Sequence, residues 1–268
     1  MPRFCANISM LFTELPMVER PAAARAAGFE AIEVQFPYIV PLDDFAKAVE
    51  KAGVKVALIN FPAGDFDKGD RGLGALPSRK AEFRAGVADG RRYAERLRVD
   101  RFNLLAGIPG PGVPDRDARA ALIDNLHFAA EAVKDIGATV CLEAINTRDV
   151  PGFYLHDPDQ AVALIVESGV RNAALQYDLY HMQIMRGDLI PTMERLMPRI
   201  GHIQFADTPG RHEPGTGEIN YANVFAAIDR IGYPGWVGAE YKPAVSTLEG
   251  LGWFAAWRAG AAGSKVPA

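Results

Sequence analysis

At 268 residues, 49 % of them apolar, the chain is long enough to bury a full core, and a single α/β barrel commonly has this length. Its formal charge of −4 and the lack of any Lys/Arg-rich block argue against a nucleic-acid partner. No apolar stretch approaches the roughly 18 residues of a membrane-spanning helix, and Asn7 and Ser9 interrupt MPRFCANISM too early for a secretory signal, so a cytoplasmic protein is expected.

Short apolar runs alternate with longer amphipathic ones along the chain. Strands are predicted at 4–8, 31–35, 54–60 and 101–106, with helices between them over 18–27, 42–51 and 78–98. The third of these helices repeats Phe83, Val87, Ala94 and Leu97 on one face, and Ser78, directly after Pro77, is its expected N-cap. The second half continues the alternation. A helix over 117–136 precedes a strand at 138–143, and a helix over 158–168 precedes one at 173–178. Further helices are expected over 187–197, 222–231 and 246–260, with strands at 201–205 and 236–240. Gly28, Gly53, Gly137, Gly169 and Gly232 each stand where a helix should end, as residues that tolerate positive φ.

Regular β–α alternation implies a parallel sheet, and eight repeats in one chain fit a closed (β/α)8 TIM barrel better than an open sheet. No G-x-G-x-x-G follows the first strand, which weakens a nucleotide-binding reading. The expectation is one barrel domain over 1–260 and a loose tail over 261–268. Cys5 and Cys141 lie within apolar runs and read as buried packing thiols. Two segments rich in glycine and proline, 61–77 and 206–220, follow the third and seventh strands and belong at the carboxyl-terminal rim.

The last four strands each end on an oxygen-bearing side chain: Glu143, Asp178, Gln204 and Glu240. A carboxylate closing a buried strand is costly unless it is paired or bound to a cation. A salt bridge would explain any one of them; three on four neighbouring strands point to a hard-oxygen site for Mg2+ or Mn2+. A neutral amide at Gln204 leaves a bound cation only partly compensated, hence electrophilic. His181, three residues after Asp178, is either a core histidine or a donor to a substrate oxygen. Arg211 is either a surface arginine or a clamp for an anionic substrate. His202 shares the strand face of Gln204 and is not expected to be a ligand. Glu213 and Glu218 read as residues that hold the 206–220 segment in shape. Serine, thiol and zinc-thiolate chemistry find no motif.

At these residues the sequence resembles a known family. PAGD with KGDRG, LEAIN, QYDLYHMQ, HIQFADTPGRHEPGTGEINY and WVGAEYKP are similar to the hydroxypyruvate isomerases, within the xylose-isomerase-like barrels. The likeness runs from Phe4 to about Trp253. It implies that Glu143 and Glu240 are the catalytic acid/base pair and bind a divalent metal, Mg2+ or Mn2+, together with Asp178 and Gln204. It implies substrate contacts from His181 and Arg211, and places Asp149 where some relatives carry a glutamate. Ketose 3-epimerases of the same superfamily usually have histidine at the position of Gln204, so that activity is disfavoured. The implied substrate is a small hydroxy-keto acid, hydroxypyruvate or the one-carbon-longer 2-oxotetronate, isomerised through an enediolate. Arg211 or another cation at the rim would hold its carboxylate. A homodimer or homotetramer is the implied assembly.

Overall fold

The computed structural model describes residues 2–263. Its strands are β1 (Arg3–Asn7), β2 (Ala31–Val34), β3 (Lys55–Asn60), β4 (Arg101–Leu104), β5 (Thr139–Glu143), β6 (Ala173–Asp178), β7 (Ile200–Phe205) and β8 (Trp236–Ala239). They pair in parallel in chain order, and β8 pairs with β1 to close the barrel. Every predicted strand is therefore present. β2 and β8 are buried along their whole length, as strands covered on both faces must be.

The helices form an outer ring: α1 (Arg20–Ala26), α2 (Leu42–Ala52), α3 (Lys80–Leu97), α4 (Asp115–Ala132), α5 (Pro158–Ser168), α6 (Leu179–Met185), α7 (Leu189–Leu196), α8 (Tyr221–Ile231) and α9 (Gly252–Gly263). α3 buries Phe83, Val87, Ala94 and Leu97, the stripe read from its spacing. Its start differs from expectation. Ser78 falls inside a 3-10 turn, Pro77–Arg79, and Arg79 precedes the helix without a side-chain cap. Pro77, with φ fixed and no N–H, opens that tighter turn instead of leaving Ser78 at a helix boundary.

Gly53, Gly169 and Gly232 end α2, α5 and α8 in the left-handed region. Gly28 and Gly137 also have positive φ but lie beyond the ends of α1 and α4. α9 begins later than the predicted helix and runs through 261–263, where the loose tail was expected. The rest of that tail lies outside the described residues. Among the described residues no helix is long and apolar enough to cross a membrane.

Phe4 of β1 meets Phe225 of α8 and Trp253 of α9 edge-on at 4.8 and 5.1 Å, sealing the outside of the β8–β1 closure. Inside, Cys5, Ala31, Ala57 and Trp236 form a small apolar plug. Cys5 and Cys141 are both free and buried, and burial pushes the Cys141 thiol up to about 12.

Candidate active site

Towards the carboxyl ends of the strands the inward positions turn from apolar to polar. Glu143 and Asp178 are the last residues of β5 and β6. Asp178 is the register partner of Gln204, and Gln204 pairs with Gly238, two residues before Glu240. Side chains alternate with period two, so Gln204, Asp178 and Glu240 point to the same face, toward the barrel axis. The structure thus brings all four oxygen-bearing side chains to one end of the barrel, none more than 4 % exposed.

Each carboxylate is held by neutral amides. Asn103 Nδ2 donates to Glu143 Oε2 at 2.6 Å. Asn7 Nδ2 and Gln35 Nε2 donate to Glu240 Oε1 at 3.0 and 2.7 Å. Asp178 divides its two oxygens. Oδ1 accepts the backbone N–H of Tyr180 at 2.7 Å and that of His181 at 3.4 Å, so Asp178 is the N-cap of α6. Oδ2 is buried and lacks a hydrogen-bond partner. Gln204 is in register, but its amide is tied sideways. Its Nε2 donates to Glu33 Oε1 at 2.8 Å and its Oε1 accepts from Gln176. A carbonyl oxygen has two lone pairs, so one remains open.

Glu33 is one of the residues that sequence reasoning missed. It is fully buried on β2. It accepts from Asn7 at 3.0 Å and lies 2.6 Å from His202 Nε2, beneath Glu240. Asn7, Asn103 and Gln176 were missed as well. Their signal was an amide side chain within or at the close of an apolar strand, in FCAN, RFNL and ALQYD.

His181 Nε2 lies 3.8 Å from Glu143 Oε1 and 3.6 Å from Asp178 Oδ2. The far side of the ring fixes its tautomer. Asn146 Oδ1 accepts the N–H of Asp149 at 2.8 Å, so its Nδ2 faces His181 Nδ1 at 2.7 Å. Nδ1 therefore accepts, and Nε2 carries the proton that points at the carboxylates. Burial, with Arg211 nearby, holds the imidazole well below its usual range and neutral. Asp149 belongs to this support: it also accepts from Tyr180 Oη at 2.6 Å.

Arg211 reaches the site from segment 206–220. Asp207, fully buried, organises that segment by accepting the backbone N–H groups of Thr208, Gly215, Gly217 and Ile219 at 2.9 to 3.1 Å. Arg211 itself sits at φ 58°, which few non-glycine residues adopt. Its Nη2 bonds Glu240 and lies 3.6 Å from Asp178 Oδ2. The structure thus sets this arginine against the carboxylates. Glu213 and Glu218 brace the segment, accepting from Ala244 N and Gln183 Nε2 at 3.0 and 3.1 Å.

Four buried carboxyl groups, Glu33 among them, and one guanidinium leave negative charge in excess. Burial, then Glu240 and Asp178, push the Glu143 carboxyl well above its usual range. Burial, Asp178 and Glu33 push Glu240 up to about 8 against the pull of Arg211. The uncapped Asp178 Oδ2, the surplus carboxylates and the hard-oxygen donor set fit a divalent cation. Glu143 and Asp178 each place a carboxylate oxygen within 4.8 Å of the other. The mouth opens into a cavity of about 450 Å3, lined by Glu143, His181, Arg211 and Glu240. That is room for a small ligand.

Comparison with known proteins gives the family of the chain. The family model described as xylose isomerase-like TIM barrel matches residues 21–257. A 2-oxo-tetronate isomerase of Cupriavidus necator is 43 % identical over 94 % of this chain and 97 % of its own. A hydroxypyruvate isomerase of Escherichia coli is 42 % identical over 96 % of this chain and 100 % of its own. A crystal structure from Brucella melitensis, described as an AP endonuclease of family 2, superposes with a TM-score of 0.93 at 39 % identity, covering 96 % of this chain and 99 % of that one. The chain belongs to the xylose isomerase-like TIM-barrel family and is an enzyme of isomerase type.

Proposed function

We propose that the chain interconverts hydroxypyruvate and tartronate semialdehyde, a metal-dependent isomerisation that passes through an enediolate between two glutamates. The observation that carries this reading is the pair of buried carboxyl groups, Glu143 and Glu240, facing one cavity beside Asp178, His181 and Arg211. Relatives named for hydroxypyruvate and for 2-oxo-tetronate support the substrate class.

Glu143, Asp178, Gln204 and Glu240 are the residues that would hold Mg2+ or Mn2+, whose charge, when bound, draws electrons from the substrate's carbonyl and hydroxyl oxygens and acidifies the hydroxymethyl carbon. Glu240, steadied by Asn7 and Gln35, takes a proton from that carbon. The C–H electron pair becomes the double bond of the enediolate, and the carbonyl pair moves to its oxygen. Glu143, steadied by Asn103, gives a proton to the former carbonyl carbon. The double-bond pair forms that C–H bond while the hydroxymethyl oxygen becomes the aldehyde and its proton passes to the neighbouring oxygen. His181, with its proton on Nε2, and Arg211 donate to the two substrate oxygens and steady the charge that develops there.

Turnover in D2O checks the proton-transfer route. Tartronate semialdehyde should carry solvent deuterium on its carbinol carbon, and a product with only the substrate's own hydrogen there would mean a hydride shift instead. The one-carbon-longer 2-oxotetronate suits the same chemistry, and the relative at 43 % identity keeps it as the second reading. The name of the Brucella structure would point to DNA. A chain of charge −4 with three carboxylates and one histidine at its barrel mouth does not favour that substrate. A homodimer or homotetramer goes with the reading, and light scattering would test it.

A further inference from the structure

A hydroxy-keto acid brings a carboxylate, and Arg211 is already paired with Glu240 and Asp178. Two other cations line the same cavity: Arg71 from segment 61–77 and Lys242 from the loop after β8. Neither has a carboxylate partner among the described residues. Arg71 Nη1 donates to the carbonyls of Phe66 at 3.1 Å and Asp70 at 2.6 Å, and no other atom of its guanidinium donates to a described residue.

Arg71 is placed rather than loose. Its guanidinium lies 5.0 Å from the centre of the Phe66 ring, which in turn packs on Phe36 at 5.1 Å. On one side Asp70 is pinned by Arg79 Nη1 at 2.5 Å and by the N–H of Asp65 at 2.6 Å. On the other, Gly72 bridges to Ala106 just beyond β4. Gly72 has φ 126°, and a Cβ there would stand 2.5 Å from the carbonyl of Leu105, so only glycine lets the segment lie this close. A planar donor fork with free N–H groups, fixed at the wall of an active-site cavity, matches a carboxylate.

We propose that Arg71, assisted by Lys242, receives the substrate's carboxylate, while Arg211 stays with the reacting carboxylates. The proposal rests on the acid-substrate reading above. It makes segment 61–77 the element that selects hydroxy-keto acids over neutral sugars.

D-glycerate, which has the carboxylate but no carbonyl to isomerise, is the probe. Calorimetric titration into the Mg2+-loaded protein should show Arg71→Met weakening glycerate at least about tenfold and Lys242→Met a few-fold, with Arg71→Lys between wild type and Arg71→Met. Dihydroxyacetone, which lacks the carboxylate, should bind all four proteins alike. In turnover, Arg71→Met should raise KM for hydroxypyruvate about tenfold or more and leave kcat within about threefold. Unchanged glycerate affinity and KM in Arg71→Met would overturn the proposal, as would a wild type that binds no glycerate. If Arg71→Met unfolds, Arg71→Lys and Lys242→Met decide: wild-type affinity in both overturns the clamp. A wild type that binds glycerate through Arg71 but turns over neither hydroxypyruvate nor 2-oxotetronate would sink the functional reading and leave the clamp standing.

Discussion

Glu143 and Glu240 have different surroundings, which suits an acid/base pair. Glu143 leans on one asparagine, whereas Glu240 takes two amides and a guanidinium. Replacing either with glutamine keeps the shape and most of the hydrogen bonds but removes the proton carrier. Glu143→Gln and Glu240→Gln should therefore lose about 10²- to 10⁴-fold in kcat while melting no lower than wild type. Near-wild-type kcat in either variant, measured with a coupled reductase, would remove that residue from the mechanism. The strand-ending oxygens were legible because burying a carboxylate at the close of an apolar run costs the fold unless a partner or a cation meets it there. Glu33 was not legible, because a glutamate within AIEV reads as a solvent-facing position until barrel closure buries both faces. The tautomer of His181 was also out of reach. It depends on Asn146, whose contact spans 35 positions of chain.

At the scale of elements, segment 206–220 is a rigid arm built around one carboxylate. Asp207 satisfies four backbone N–H groups, those of the buried Thr208 and Ile219 among them, and Arg211 rides on the result. Asp207→Ala strands those donors and should cost on the order of 3 kcal/mol, or roughly 10 °C in melting temperature. Turnover should fall with it, because Arg211 loses its seat. A variant melting within about 2 °C of wild type would show that the segment is held by something else. The segment's place at the rim followed from counting strands, but its internal order did not, since Asp207 looks like an ordinary turn residue in ADTPG. α6 escaped prediction for a related reason. Asp178 ends β6 and caps the helix at once, leaving no loop to mark the change of element.

For the whole molecule, parallel closure is what makes the site. It carries four strand ends that are remote in sequence to one mouth and buries their charge there at a cost to the fold. The β–α rhythm announced that closure, since periodicity and chain-order pairing are local properties summed eight times. A cation bound at the mouth should return stability. At about one hundred times its dissociation constant, Mg2+ or Mn2+ should stabilise the folded state by about 2.7 kcal/mol, a rise of roughly 5–10 °C over EDTA-stripped protein in a thermal melt. No rise with either ion would speak against a built metal site. The proposed reaction is tested by turnover of the EDTA-stripped protein with and without restored Mg2+ or Mn2+, hydroxypyruvate and 2-oxotetronate run in parallel. Metal-dependent formation of tartronate semialdehyde from hydroxypyruvate, faster than any turnover of 2-oxotetronate, is the expected result; equal rates without metal, or silence on both acids, would refute the proposed reaction.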